Sequence, residues 1–562
     1  MERVLQLEAV ACKDWLTNKV DRSVTGKIAR QQCQGELQLP LSDCGVVALD
    51  YRGRSGIATA LGHAPQAGLA SPAAGSVLSV AEALTNLVWA PLAGGLESVS
   101  LSANWMWPCR SQKGEDARLY QAVKALSDFC CDLGVNVPTG KDSLSLSQQY
   151  PDGEKIISPG TVIVSAGAEV SDVRKVVSPV VVNDKRASLY HIDFSFCEQR
   201  LGGSAFSQSL NRVGDDVPTV MNAEYFADAF DAVQELIRRG WIMAGHDISA
   251  GGLITCLLEM CFANTRGGMH INLHDLCADG DLVKTLFAEN PGVVVEVSDE
   301  HKADFKEFLE DMGIGYAKIG YPVEDGRTLV VKADGEELTF DIDHLRDVWY
   351  TTSYLLDRRQ SFSGKAAERF ANYKQQPVEM KFPRGFRGML EQYGLTARHP
   401  LGQSRAKAAI IREKGTNGER EMAYSLYLAG FDVKDVTMTD LISGRETLDD
   451  VQMIVFCGGF SNSDVLGSAK GWAGAFLYNP KAKEALDRFY SRKDTLSLGI
   501  CNGCQLMVEL GLLSGKAETA DGALLPKMLH NDSHKFESGF ITLQIPENES
   551  VMFGSLGGSR RR

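Results

Sequence analysis

Apolar residues recur at helical spacing over 116–134, where Leu119, Val123, Leu126, Phe129 or Cys130, and Leu133 fall on one face. The short apolar runs Gly45–Asp50 and Gly160–Val170 read as strands. Ser171–Lys185 is more polar and contains a proline, so it reads as a subdomain boundary. A second helix carries Phe226, Phe230, Val233 and Leu236 on one face and ends at Gly240, which suits a C-cap. Strands follow at Gly292–Val297 and Leu329–Lys332. From Ala406 the order is strand (AKAAIIR), helix (EREMAYSLYLAG), strand (FDVKDV), strand (VQMIVFC), helix, strand (TLSLGI). That alternation predicts a parallel sheet covered by helices on both faces. The expected organisation is 1–175, 187–350, a surface linker over 355–405 rich in Lys, Arg, Gln, Pro and Gly, and a last block over 406–562.

Length and charge narrow the function. A chain of 562 residues holds about three or four domains. The net charge of −14 argues against nucleic acid or an anionic membrane as partner. No run of 18 apolar residues is present, and MERVLQLEAVACKDW carries acids where a signal peptide has an apolar core. The 13 scattered cysteines read as reduced thiols, and the expected location is cytoplasmic.

Two constellations carry chemistry. GICNGCQ, at 499–505, lies between a buried strand and a helix start. A thiol on such a sharp turn projects toward a ligand, and the helix terminus lowers its pKa. Gly499 and Gly503 relieve crowding around Cys501, and Gly458 and Gly459 of CGGF are placed to aim backbone N–H groups at an oxyanion. Three readings stand here: a nucleophile, a core cysteine in a tight turn, and a redox pair with Cys504. A zinc site lacks a second pair of ligands. The other constellation is oxygen-rich. Glu82 and Asn86 lie four apart on one helical face, Asp43 lies in PLSDCG and Asp247 in GHDISAGG. Taken singly, Asp43 and Asp247 read first as turn or N-cap residues and Glu82 as a helix surface acid, and His246 is equally a structural histidine. Gly140–Ser143 (GKDS) reads as a turn able to receive phosphate or as a plain loop, although it is not a P-loop. Asn104 and Trp105 are cleft or core residues.

G-I-C-x-G-x-Q resembles the nucleophile elbow of class I glutamine amidotransferases. The ordered blocks GGFSNSDVLGSAKGWAGAF, LGICNGCQLM, LHNDSHKFESGF, LTNKVDRSVTGKIARQQCQGELQLPLSD, PTGKDSLSL and GHDISAGGLITCLLEMCFA resemble the phosphoribosylformylglycinamidine synthase family from about Leu16 onward. The resemblance implies a multidomain α/β and α+β chain: an aminoimidazole-ribonucleotide-synthetase-like repeat, then a flavodoxin-like glutamine amidotransferase domain. It favours Cys501 as nucleophile, with Gly458, Gly459, Asn502, Gly503 and Gln505 shaping the substrate turn. It assigns Asp43, Glu82, Asn86 and Asp247 to magnesium, and Ser42 and Ser249 to ATP or ADP. It implies glutamine, formylglycinamide ribonucleotide and ATP as substrates, and an N-terminal half of the same enzyme as partner. The family pattern has an acid at Ala250, Tyr-Gly at Asn462-Ser463 and Arg at Gly539. It also supplies a His-x-Glu base after the nucleophile. Only His530 and His534 follow Cys501 here, so this chain is expected to be an incomplete amidotransferase, inactive alone and able to act as a non-catalytic nucleotide-binding module.

Overall fold

Burial alternation and buried runs set up the three larger sheets in the computed structural model, which describes residues 1–562 except 51–53, 278–279, 334, 376, 379–386, 388–405, 514–525, 542, 555–559 and 562. Two units are present, 1–380 with 531–562, and 381–530.

In the first unit, a six-stranded sheet uses β1 (Ile28–Arg30), β2 (Gly45–Ala48), β3 (Gly56–Gly62), β4 (Ser100–Met106), β5 (Asn136–Ser143) and β6 (Thr161–Val170), in the order β1-β2-β3-β6-β4-β5. Only β4 and β5 pair in parallel. Along β6 every second residue is buried, as a strand with one covered face requires. Helix α1 (Pro72–Leu87) covers that face; Ser71 caps it, with the hydroxyl accepting the Ala74 N–H at 3.2 Å. Helix α2 (Glu115–Asp132) packs beside α1. The opposite face leaves Val47, Ile57 and Leu61 exposed.

A seven-stranded sheet follows, from β7 (Ala187–Asp193), β8 (Ile242–Ile248), β9 (Gly268–Asn272), β10 (Gly292–Ser298), β11 (Tyr316–Val323), β12 (Thr328–Ala333) and β13 (Glu336–Asp341), ordered β8-β10-β7-β11-β9-β12-β13. Strand β10 is buried along nearly its whole length because helices cover both its faces. These are α3 (Ala223–Arg239) and α4 (Gly252–Phe262). Asn222 caps α3, and Gly240 ends it at φ 75°, as its spacing predicts. One core joins the two sheets through Trp89, Phe129, Tyr190, Phe226 and Phe305. Gln234, fully buried on α3, receives the Leu92 N–H at 2.8 Å and donates to the Val88 and Ala90 carbonyls.

Four expectations change. Val4, Leu5, Val10 and Cys12 join the core of the second sheet rather than the first, because residues 1–12 pack against α5 (Ile342–Asp357). The stretch expected as a linker begins inside α5 and contains α6 (Lys365–Asn372), whereas 379–386 and 388–405 lie outside the described residues. Gly140–Ser143 is not a turn but the end of β5, with Gly140 opposite Ala103. Both faces of β5 are exposed, so it shows no apolar alternation to read. Asn531–Arg562 also groups with the first unit.

The second unit holds β14 (Lys407–Arg412), α7 (Glu419–Leu428), β15 (Asp432–Thr437), β16 (Met453–Phe456), α8 (Pro480–Ser491), β17 (Leu496–Gly499) and α9 (Asn502–Glu509). The sheet is wholly parallel, ordered β15-β14-β16-β17, the start of a flavodoxin-like winding. Ala409 and Ile411 point into one helical layer and Ala408 and Ile410 into the other.

Candidate functional site

The first site forms where β8 meets the loop before β2. Successive side chains on β8 place His246 and Asp247 beside Asp43. His246 Nδ1 lies 2.8 Å from Asp43 Oδ1 and 3.4 Å from Asp247 Oδ1, and Nε2 lies 3.2 Å from Glu259 Oε2. One ligand atom from each of Asp43, His246 and Asp247 falls within 4.8 Å of the others. Burial pushes both carboxyls up, Asp247 also through the charge on Asp43. Burial opposes a charge on His246, but Asp43 and Glu259 outweigh it and raise its pKa well above 6.5. Oδ2 of Asp43 and Oδ2 of Asp247 are buried without a hydrogen-bond partner. Hard, unpartnered carboxylate oxygens in one pocket fit a divalent cation.

Helix α1 brings the remaining oxygens. Gly62 lets it lie close to β3, since a Cβ there would sit 2.2 Å from the Ser79 carbonyl oxygen. Glu82 Oε2 accepts the His63 N–H at 2.5 Å, and Asn86 Nδ2 donates to the Leu61 carbonyl at 3.0 Å. Ser42 donates to the Cys44 carbonyl at 3.0 Å. A cleft of about 940 Å³ is lined by all six of Ser42, Asp43, Glu82, Asn86, Asp247 and Ser249. Neither Asn104 nor Trp105 lines it. Glu259 and His63 were not singled out from the sequence. An acid inside the apolar run GGLITCLLEMCFA was the available signal for Glu259; His63 had none.

The second site is the turn after β17. Cys501 is exposed and sits at φ 53°, ψ −114°, a conformation that L residues rarely hold. The turn is built by close approach. A Cβ on Gly503 would meet the Phe456 carbonyl oxygen at 2.1 Å, and one on Gly499 the Gly503 carbonyl oxygen at 2.6 Å. Gly458 lies against Cys501, its would-be Cβ 3.1 Å from Cys501 Cβ and 3.8 Å from Sγ. Asn417 donates to the Gly458 carbonyl and Phe460 to the Gly415 carbonyl, which makes Thr416 and Gly459 the non-hydrogen-bonded pair of an antiparallel bridge. The Gly459 N–H therefore faces away from that loop. Asn502 is buried. Its Oδ1 accepts the Ser461 N–H at 3.2 Å, and its Nδ2 donates to Asp464 at 3.2 Å and to Gln505 at 3.1 Å. It thus pins a segment in which Asn462, Ser463 and Asp464 are all left-handed. A cavity of about 940 Å³, lined by Lys414, Thr416, Thr437, Ser461 and Asn462, opens at the carboxyl ends of β14 and β15. Cys504 is partly buried, and both thiols are free. His534 stacks on Phe362 with ring centroids 4.3 Å apart. At Gly539 the Arg22 guanidinium lies 3.6 Å from where a Cβ would stand.

Three family models match in order: an FGAR-AT PurM_N-like domain over 12–169, the C-terminal domain of AIR synthase related proteins over 195–332, and a CobB/CobQ-like glutamine amidotransferase domain over 405–560. A probable phosphoribosylformylglycinamidine synthase, chloroplastic/mitochondrial, of Arabidopsis thaliana is 39% identical over 565 residues, covering 100% of this chain and 39% of the relative. The Homo sapiens phosphoribosylformylglycinamidine synthase is 39% identical over 577 residues, covering 100% and 42%. Among solved structures, Thermotoga maritima PurL complexed with FGAR aligns at a TM-score of 0.47 and 14% identity, covering 61% of this chain and 52% of that one. The chain spans about two fifths of the length of the curated relatives it matches. Among the described residues no helix is long and apolar enough to cross a membrane. In sequence along its whole length, and in the order of its matched domains, this chain is similar to the phosphoribosylformylglycinamidine synthases.

Proposed function

We propose that this chain contributes the glutaminase nucleophile and a magnesium-nucleotide site to an enzyme that converts formylglycinamide ribonucleotide to its amidine with ATP and glutamine. The observation that carries the reading is the strained, exposed turn of Cys501, with Gly458 pressed against it and the Gly459 N–H unused by the neighbouring loop. The Cys501 thiolate attacks the glutamine amide carbon, and charge develops on the amide oxygen, where the Gly459 N–H supports it. The carbon–nitrogen bond then breaks, ammonia leaves with a proton, and water hydrolyses the glutamyl thioester. In the synthetase part, the substrate amide oxygen takes the γ-phosphoryl group of ATP, and ammonia displaces phosphate. Asn502 and Gln505 hold the turn, and Gly503 and Gly499 give it room.

In the cleft, Asp43, Glu82, Asn86 and Asp247 would hold magnesium, and Ser42 and Ser249 lie where a nucleotide would meet them. A bound magnesium ion offsets the charge of nucleotide phosphates and of the buried acids. The exposed apolar face carrying Val47, Ile57 and Leu61 supports a partner there, the upstream portion that longer relatives carry. Thirteen free thiols and a net charge of −14 support a reducing, cytoplasmic setting without nucleic acid or membrane as partner.

A glutamine-like chloroketone should label Cys501 in preference to Cys504, mapped by peptide mass spectrometry. A Cys501–Cys504 disulfide with no selective labelling would overturn the reading in favour of a redox pair. For the cleft, Mg-ADP should raise the melting temperature, and Glu82→Ala should reduce that rise. No rise in folded protein would refute the nucleotide site.

A further inference from the structure

Glu289 has no part in the metal cluster, yet its carboxylate ties together two glycine turns of one cavity. A single oxygen, Oε1, accepts the Gly251 N–H at 2.7 Å and the Ala205 N–H at 2.8 Å. Gly251 lies within the turn Ser249–Gly252, and Ala205 is the first helical residue after the turn Gly202–Ser204. Both turns are locked by close packing. A Cβ on Gly203 would meet Ala67 Cα at 2.4 Å, and one on Gly252 would meet Phe287 Cα at 2.7 Å. Gly203, Gly251 and Gly252 have φ of 66°, 94° and 72°. Gly202, Gly203, Ser249, Ala250, Glu82 and Glu289 line a cavity of about 130 Å³. It shares Glu82 and Ser249 with the larger cleft, so the two adjoin at the proposed nucleotide site.

We propose that Glu289 is a positioning residue for nucleotide binding: by joining the two turns through one oxygen, it sets the wall against which a magnesium-bound nucleoside diphosphate rests. The inference rests on the nucleotide reading of the cleft. It accounts for a carboxylate that takes one N–H from the turn Ser249–Gly252 and one from the residue that follows the turn Gly202–Ser204. A backbone N–H given to an internal carboxylate is fixed in direction, and the turns then need not be ordered when ligand arrives.

The test uses the full chain, isothermal titration with Mg-ADP well below the melting temperature, and hydrogen exchange at the Gly251 and Ala205 amides. Because one oxygen takes both bonds, Glu289→Gln keeps that acceptor and should bind within about twofold of the parent. Glu289→Ala should bind about tenfold more weakly, with faster exchange at both amides. A purely structural role would lower the melting temperature of Glu289→Ala and leave its affinity alone; equal affinity overturns the inference. So does a Gln variant as weak as the Ala variant, since charge and not position would then matter. Should Glu289→Ala not fold, Ala205→Pro removes one donor at the first helical position, where proline is tolerated. It should weaken Mg-ADP binding about threefold, and parental affinity in that variant overturns the inference. If the parent itself shows no binding of Mg-ADP, the nucleotide reading fails and the inference falls with it; if the parent binds and the variants match it, the inference alone fails.

Discussion

Glu296 sits in the middle of β10, fully buried, between Leu189 of β7 and Ala244 of β8. The Val182 N–H donates to its Oε2 at 2.7 Å, and burial pushes its carboxyl from 4.5 up to about 7. The native state therefore binds this proton more tightly than the unfolded chain. The stabilising contribution is full below pH 4.5 and is lost as pH rises through 7. Above that, the native state must hold a buried carboxylate. At about 1.36 kcal/mol per pH unit, the difference amounts to about 3 kcal/mol. Glu296→Gln keeps the shape and the acceptor but stays neutral. Spread over a unit of roughly 400 residues, at about 2.1 cal/mol/K per residue, 3 kcal/mol corresponds to about 3–4 °C. Calorimetric melts of parent and variant should therefore differ by about 3–4 °C at pH 8.5 and by about 1 °C at pH 5, with the variant higher. A variant melting below the parent at pH 8.5, or a gain that does not grow with pH, would refute the reasoning. Either result would mean that the surrounding N–H groups hold the ion as well as water does.

Other outcomes follow from local geometry. Ser463 is left-handed at φ 56°, where a Cβ costs about 1 kcal/mol, so Ser463→Gly should raise the melting temperature of the second unit by about 2–4 °C; no rise would show the strain to be absent. Gly503→Ala puts a Cβ at 2.1 Å from the Phe456 carbonyl oxygen, so α9 must shift, and chloroketone labelling of Cys501 should slow at least about tenfold. Parental labelling by that variant would show that the turn tolerates the displacement. Lys535 is paired at 2.7 Å with Asp357, whose side chain is only 4% exposed, so Lys535→Met should destabilise the first unit by about 3 kcal/mol by chemical denaturation. Adding Asp357→Asn should recover part of that loss; a Lys535→Met variant as stable as the parent would show the pair to be energetically idle.

The sequence alone determined the elements whose reasons are local. Helix α3 announced itself through Phe226, Phe230, Val233 and Leu236 and through Gly240 at its end, and the parallel sheet through its alternating runs. The glycines around Cys501 were legible too, because a strand–turn–helix junction needs small residues within a few positions of one another. Strand β5 was not legible: with both faces exposed it has no apolar period, and only its pairing with β4 makes it a strand. The gathering of Asp43, Glu82 and Asp247, some 39 and 165 positions apart in the chain, was reached by family resemblance and not by spacing. The contacts of Glu259 and Glu289 were reached by neither. A carboxylate's role depends on which backbone amides and charges surround it after packing, and distant segments supply those. Local pattern decides which face of a segment is buried; only the tertiary structure decides what that face meets.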